Sequence, residues 1–284
     1  VGAPVEVQVE IHVEQERRFY DDVYAQHLAA RDQDLRVGRE IMLRQFDDPS
    51  EHFYERRRLY HGSMEALFAR PVDGLRVLDY GCGTGEWGVM LATEGARSTL
   101  LDLSPRAVEV GLKRARASDV AERVDGVARD ASDLSCFPDH EFDLIFACAA
   151  IHHTVKYGDA LGEVLRVLKP GGRMVLAEGW GNNGLLNAAR RLRWKLANEP
   201  AEAGEGVFFE QADVDRLRER GLRVEVQPLN LTAMAKRLMR GRFESGVARG
   251  ALGFLEGVDR VLLGAIPALG RYCGEAVVVC EKPE

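Results

Sequence analysis

The chain has 284 residues, 46% hydrophobic and 29% charged, which is the make-up of a folded globular protein and excludes a disordered one. Its formal net charge of -7 repels a phosphate backbone, so nucleic acid is not an expected partner. The cysteines Cys82, Cys136, Cys148, Cys273 and Cys280 are odd in number and lack paired short spacing, which points away from a disulfide framework or a zinc site and fits a reducing cytoplasm.

In chain order, residues 1–14 alternate Val and Ile with Glu and lack the basic-then-apolar layout of an export signal. The period of two over 5–13 is compatible with an edge strand or an extended arm. From residue 15 to about 69 the apolar spacing turns helical, through Phe19, Val23 and Leu28, then Ile41, Met42 and Phe46, then Leu59, Met64, Leu67 and Phe68. Asp48-Pro49-Ser50 breaks this run, so two or three helices are predicted ahead of the main domain.

After the turn at 71–74, short apolar runs alternate with helical patterns, the layout of crossover units around a parallel sheet. Strands are predicted at 76–80, 98–103, 123–129, 142–148 and 173–178. The run 142–148 is almost continuously apolar, which places it mid-sheet with both faces covered. A helix at 160–168 is expected to stop at Lys169-Pro170-Gly171-Gly172. Beyond Glu178 come a basic helix near 185–196, whose Arg190, Arg191, Arg193 and Lys195 read as a solvated face, and a loop rich in Glu, Ala and Gly at 198–206. A helix at 212–220, a strand at 222–231, an apolar helix at 247–266 and a last strand at 275–280 complete the chain. Glu256, Asp259 and Arg260 interrupt the longest apolar stretch, so no membrane span is expected; the face of that helix suits either a greasy acceptor or a homodimer partner.

Val77-Leu78-Asp79-Tyr80-Gly81-Cys82-Gly83-Thr84-Gly85 follows the first strand and opens a helix at 86–93. Glycines there let the backbone turn tightly and come close to a ligand, while the helix N-terminus offers free N–H groups. The dinucleotide fingerprint requires a third glycine three residues after the second, and that position is Glu86. The spacing excludes a dinucleotide site of that type.

The stretch resembles the first motif of class I S-adenosylmethionine-dependent methyltransferases, small-molecule branch, an acidic residue followed by Gly-x-Gly-x-Gly. Four further matches follow in order: Asp102 after the second strand, Asp130-Ala131 after the third, Glu141-Phe142-Asp143-Leu144-Ile145 with Ile151-His152-His153 around the fourth, and the run 165–172 before the fifth. The resemblance covers residues 75–178. It implies an α/β, Rossmann-like sheet of seven strands, mostly parallel with a reversed last strand, carrying N-terminal helices and a helical cap insertion. Residues 1–70 would form a helical cover, and 71–284 the catalytic domain with cap insertions at about 180–210 and 232–270. The cofactor would be S-adenosylmethionine, leaving S-adenosylhomocysteine, held by Asp79, Gly81, Cys82, Gly83, Gly85, Asp102, Leu103, Asp130, Ala131, Ala147, Cys148 and His153. Asp102 would take the ribose hydroxyls and Asp130-Ala131 the adenine edge.

The implied reaction is methyl transfer to oxygen, nitrogen or carbon of a small molecule. Such a transfer needs an in-line acceptor and exclusion of water more than elaborate activation. His153 and His152, at the carboxyl edge of the sheet, are the candidate bases for a hydroxyl acceptor. Adjacent histidines point apart on a regular element, so no metal is expected. Tyr20, Tyr24, His61, Trp180 and Trp194 are the substrate-facing candidates, and for Tyr20, Trp180 and Trp194 a helix core serves equally well; Phe53 and Phe68 are assigned to the core. An RNA or protein target, or a cofactor-binding member that does not methylate, stays open at this point.

Overall fold

The computed structural model describes residues 5–155, 159–197 and 208–284, with side chains for 13–155, 159–190, 192 and 208–284. Its strands are β1 (Arg76–Tyr80), β2 (Arg97–Asp102), β3 (Val124–Ala128), β4 (Phe142–Cys148), β5 (Leu168–Gly179), β6 (Arg223–Leu229) and β7 (Glu275–Glu281). They form one seven-stranded sheet in the order β3-β2-β1-β4-β5-β7-β6. The first five pair in parallel, and β7 runs antiparallel to both β5 and β6. β4 stands at the centre, as its apolar run predicts. The α-helices are α1 (Val5–Ala25), α2 (Asp32–Leu35), α3 (Arg39–Asp47), α4 (Arg57–Leu67), α5 (Glu86–Thr93), α6 (Pro105–Ala117), α7 (Ile151–Thr154), α8 (Ala160–Val167), α9 (Gly184–Ala197), α10 (Gln211–Glu219) and α11 (Gly246–Ala265).

Side chains alternate across a strand, so both faces of this sheet need cover. Val77, Leu100, Leu144 and Phe146 pack on one face with Met42, Phe46, Leu59, Met64 and Leu67 from α3 and α4 and with Val89 and Met90 from α5. Leu78, Leu101, Ile145 and Ala147 pack on the other with Leu161, Val164 and Val167 of α8 and Val214 and Leu217 of α10. The helices ahead of β1 thus share one core with the sheet. Each fully buried Leu, Met or Phe there contributes about 1.5–3 kcal/mol. Ser104 starts α6: its hydroxyl accepts the Ala107 N–H at 3.2 Å, with Pro105 at the first helical position. α1 packs on α6, which brings it over the carboxyl edge of β1 and β2.

Three local readings change. Residues 5–13 belong to α1 rather than to a strand or arm: extending a helix already formed costs less than their period-two pattern implies, because nucleation is the expensive step. Lys169-Pro170-Gly171-Gly172 does end α8, but it lies inside β5, where a register shift opposite Phe142 and Leu144 absorbs it. Arg190 is not solvated. It is 4% exposed and donates to the carbonyls of Trp180 and Gly274; the side chains of Arg191, Arg193 and Lys195 and the loop at 198–206 lie outside the described residues.

Candidate active site

β1 ends at Tyr80, and the chain crosses the carboxyl edge through Gly81, Gly83 and Gly85, with φ of 67°, 52° and 76°. A Cβ at Gly81 would meet that of Ala150 at 2.4 Å, and one at Gly85 would meet the Gly111 Cα at 2.8 Å. No side chain fits at either place. Gly81 and Cys82 donate their N–H groups to the Leu101 carbonyl at 2.8 and 2.9 Å. Asp102 holds the next step: its Oδ2 accepts the Gly83 N–H and its Oδ1 the Ser104 N–H, each at 2.9 Å. Asp79 Oδ2 accepts the Gly88 N–H at 2.8 Å, tying β1 to the first turn of α5. Burial pushes Asp79 up to about 8 and Asp102 up to about 6, against the pull of these N–H donors.

The turn floors a cavity of about 370 Å³. It brings together Asp79, Gly81, Cys82, Gly83, Asp102, Leu103, Asp130, Ala131, Cys148 and His153 with Tyr20 and Tyr24. Tyr20 and Tyr24 stack at 5.9 Å and 15°, and Tyr20 meets His153 edge-on at 6.4 Å. The Tyr24 hydroxyl sits 3.2 Å from where a Gly83 Cβ would stand, so the bare backbone is what admits it. Glu16 closes the roof, 2.9 Å from His153 Nδ1. Tyr80 ties the walls together, donating to the Ala131 carbonyl at 2.7 Å beside Thr154 Oγ1 at 2.6 Å.

Several expected residues fall elsewhere. Gly85 faces Gly111 and Ala147 is fully buried in the second core, because the alternation that turns Phe146 one way turns Ala147 the other. His152 turns from the cavity to Glu178, Nδ1 to Oε2 at 2.7 Å. His61 pairs with Asp47 at 2.9 Å on the outer side of α4, since Leu59 and Met64 take the inner side. Trp180 is 2% exposed in the second core, bridged to Phe209. The side chain of Trp194 lies outside the described residues. Phe53 is buried as assigned and lines the cavity as well, while Phe68 is partly buried against the first core.

Sequence reasoning missed Glu16, Trp87 and, above all, Glu178, while Tyr60, one of the aromatics of the N-terminal helices, does line the cavity. At the end of β5, Glu178 Oε1 accepts the N–H groups of Ala150 and Ile151, both at 3.0 Å, while Oε2 takes His152. Burial pushes its carboxyl up, but His152 and these N–H groups outweigh that and hold it below the usual range. It thereby shapes the turn after β4, where Ala149 adopts a φ of 53°. Its place at the carboxyl edge was the available signal. Burial pushes the Cys148 thiol up to about 12, away from the thiolate that a nucleophile would need.

Comparison with known proteins agrees with this geometry. Residues 77–172 match the family model described as a methyltransferase domain. The match covers about a third of the chain, within the sheet that carries the reversed β7. Over 108 residues the chain is 42% identical to demethylmenaquinone methyltransferase of Clavibacter sepedonicus, covering 38% of this chain and 42% of that protein. Over 117 residues it is 39% identical to the ubiquinone/menaquinone biosynthesis C-methyltransferase UbiE of Ruegeria sp. (strain TM1040), covering 40% and 46%. The matches thus span less than half the length of these relatives. Geranyl diphosphate C-methyltransferase from Streptomyces coelicolor A3(2) shares the fold, with a TM-score of 0.58 at 17% identity over 96% of this chain and 98% of that one.

Proposed function

We propose that the chain transfers the methyl group of S-adenosylmethionine to a small-molecule acceptor and releases S-adenosylhomocysteine. The observation that carries this reading is Asp102. Its two oxygens are each pinned by one backbone N–H, and each keeps a lone pair for a ligand hydroxyl in the cavity. A side-chain-free Gly83 beside it and Asp130-Ala131 along the wall fit a nucleoside with a ribose diol. When bound, the cofactor supplies an electrophilic sulfonium methyl.

The chain's own residues then supply position and dryness. Tyr20, Tyr24 and Glu16 of α1 roof the cavity, and Phe53, Tyr60 and Trp87 give an apolar wall for the acceptor. Residues 15–70 therefore serve as the acceptor's cover. His153, held beside Glu16, is positioned to take a proton from a hydroxyl acceptor, with the carboxylate favouring the imidazolium that results. His152, occupied by Glu178, has no such role.

The test is incubation with methyl-labelled S-adenosylmethionine and a cell extract. Label should enter a low-mass fraction, and Asp102→Ala should abolish the transfer. No calorimetric affinity for S-adenosylmethionine or S-adenosylhomocysteine would sink the reading.

A further inference from the structure

Past the Tyr60 end of the cavity, five charged side chains are enclosed together. Glu275 opens β7 opposite Gly179, the last residue of β5, and its side chain is 1% exposed. Its Oε2 accepts from Lys236 Nζ at 2.8 Å and from Asn230, its Oε1 from Arg56 Nε at 3.2 Å. Arg190 and Arg237 complete the group. Burial lowers both, and each cation pushes on its neighbours while Glu275 supports them, so that Arg190 falls to about 10. Arg237 makes no hydrogen bond or ion pair among the described residues, and the buried Nε atoms of Arg190 and Arg237 have no partner.

The neighbouring carboxylates are already taken. Arg240 holds Glu55 at 2.7 Å, His152 holds Glu178 at 2.7 Å, and Arg58 stands 3.3 Å from Asp259. Among the described residues Glu275 is the carboxylate these four cations have in direct reach, with Glu55 supporting Lys236 and Arg237 from further off. Enclosing surplus charge is unfavourable unless an opposite charge joins it.

The group adjoins the cavity wall through Tyr60. Arg56 lies deep in the protein behind Tyr60, its guanidinium 5.9 Å from that ring and within electrostatic reach of Cys148. Tyr60 and Cys148 both line the cavity. Arg56 keeps 26% of its side chain accessible and stands next to Tyr60 of the cavity wall without lining the cavity itself. From Cys148 at the end of β4 to Glu275 on β7 is two strand spacings, about 10 Å at about 4.8 Å each.

We propose that Arg56, Lys236, Arg237 and Arg190 form a subsite for the anionic group, carboxylate or phosphate, of the methyl acceptor. The acceptor is then an amphipathic acid. Its charge lies about 10 Å from the Cys148 wall of the cavity, with an apolar stretch along Phe53 and Tyr60. The word acceptor rests on the methyl-transfer reading; the anion subsite does not.

The test is calorimetric titration of the whole chain with inorganic diphosphate and, separately, with decanoate, each with and without S-adenosylhomocysteine. One or both should bind at one site per chain. Arg237→Gln and Arg56→Gln should each weaken that binding at least tenfold while S-adenosylhomocysteine affinity stays within twofold, and Arg237→Gln, which breaks no hydrogen bond or ion pair among the described residues, should keep the melting temperature within a few degrees. Stronger binding of diphosphate assigns a phosphate group; stronger binding of decanoate assigns a carboxylate on an apolar chain. Binding of neither probe, or binding that survives both substitutions, overturns the proposal. If the anion binds and is lost in folded variants but S-adenosylhomocysteine never binds, the methyl-transfer reading falls and the subsite stands.

Discussion

Glu16 of α1 stands 2.9 Å from Nδ1 of His153 in the turn after β4, and both side chains are largely buried at the rim of the cavity. The pair fastens the N-terminal helix to the carboxyl edge of the sheet, beside the stacked rings of Tyr20 and Tyr24. If this helix is the cover proposed above, the pair should control how long a ligand stays enclosed.

Replacing Glu16→Gln keeps the size and removes the charge. The loss is on the order of 1 kcal/mol, a factor of about five. S-adenosylhomocysteine should leave about five times faster, followed by stopped-flow fluorescence of Trp87, and the amides of residues 14–25 should exchange faster. Unchanged rates would mean that α1 is held by its packing on α6 alone.

On the proposed reading, Asp102 should set the pH range of cofactor binding. Burial raises it to about 6 in the folded chain, and only its ionised form accepts hydroxyls on both oxygens. Affinity for S-adenosylhomocysteine should be flat above about pH 7 and fall toward tenfold per unit below about pH 6. Asp102→Ala should weaken binding by about 2–4 kcal/mol, roughly 30- to 1000-fold. Asp102→Asn should bind weakly without that acid limb, and an identical pH profile in this variant would remove Asp102 from the contact.

Glu178 supports the turn that carries His153. Removing one partner from a buried, hydrogen-bonded charge pair costs about 3–5 kcal/mol, so Glu178→Ala should lower stability by that order in urea denaturation at pH 7. Its carboxyl lies below the usual value of 4.5 in the folded chain. That contribution is complete above about pH 4.5 and is lost as pH falls through the lowered folded value. The stability gap between parent and Glu178→Gln should therefore narrow on acidification; a gap constant from pH 7 to 3.5 would assign the effect to shape alone.

The glycine turn should tolerate substitution unevenly. Gly81→Ala places a Cβ 2.4 Å from that of Ala150 at a φ of 67°, whereas Gly83→Ala meets only the tip of Tyr24 at 3.2 Å. The first should cost about 2–3 kcal/mol of stability and the second about 1, with the second felt mainly as weaker cofactor binding. Melting curves and calorimetry on the two variants separate these outcomes.

Much of the architecture was legible because buried strands have few alternatives. A central parallel strand must be apolar on both faces, so the run 142–148 announced β4 to the residue. The absence of glycine at position 86 ruled out a dinucleotide site of the usual spacing, and Asp102 was placed by its position at the end of β2. Aromatic and basic residues misled where composition could not say which side of an element faces inward. Trp180 fills a core, His61 faces out toward Asp47, and Arg190 is buried among carbonyls.

By itself, then, the sequence determined the order of strands and helices, the glycine turn and the acidic residues at the strand ends, since each follows from local spacing and from the need to bury apolar runs. Only the tertiary structure decided which distant segments meet. Glu16 reaches His153, and Arg56 reaches Glu275 across 219 positions of sequence. Such meetings are set by how helix surfaces pack onto a finished sheet, and no periodicity along the chain encodes them.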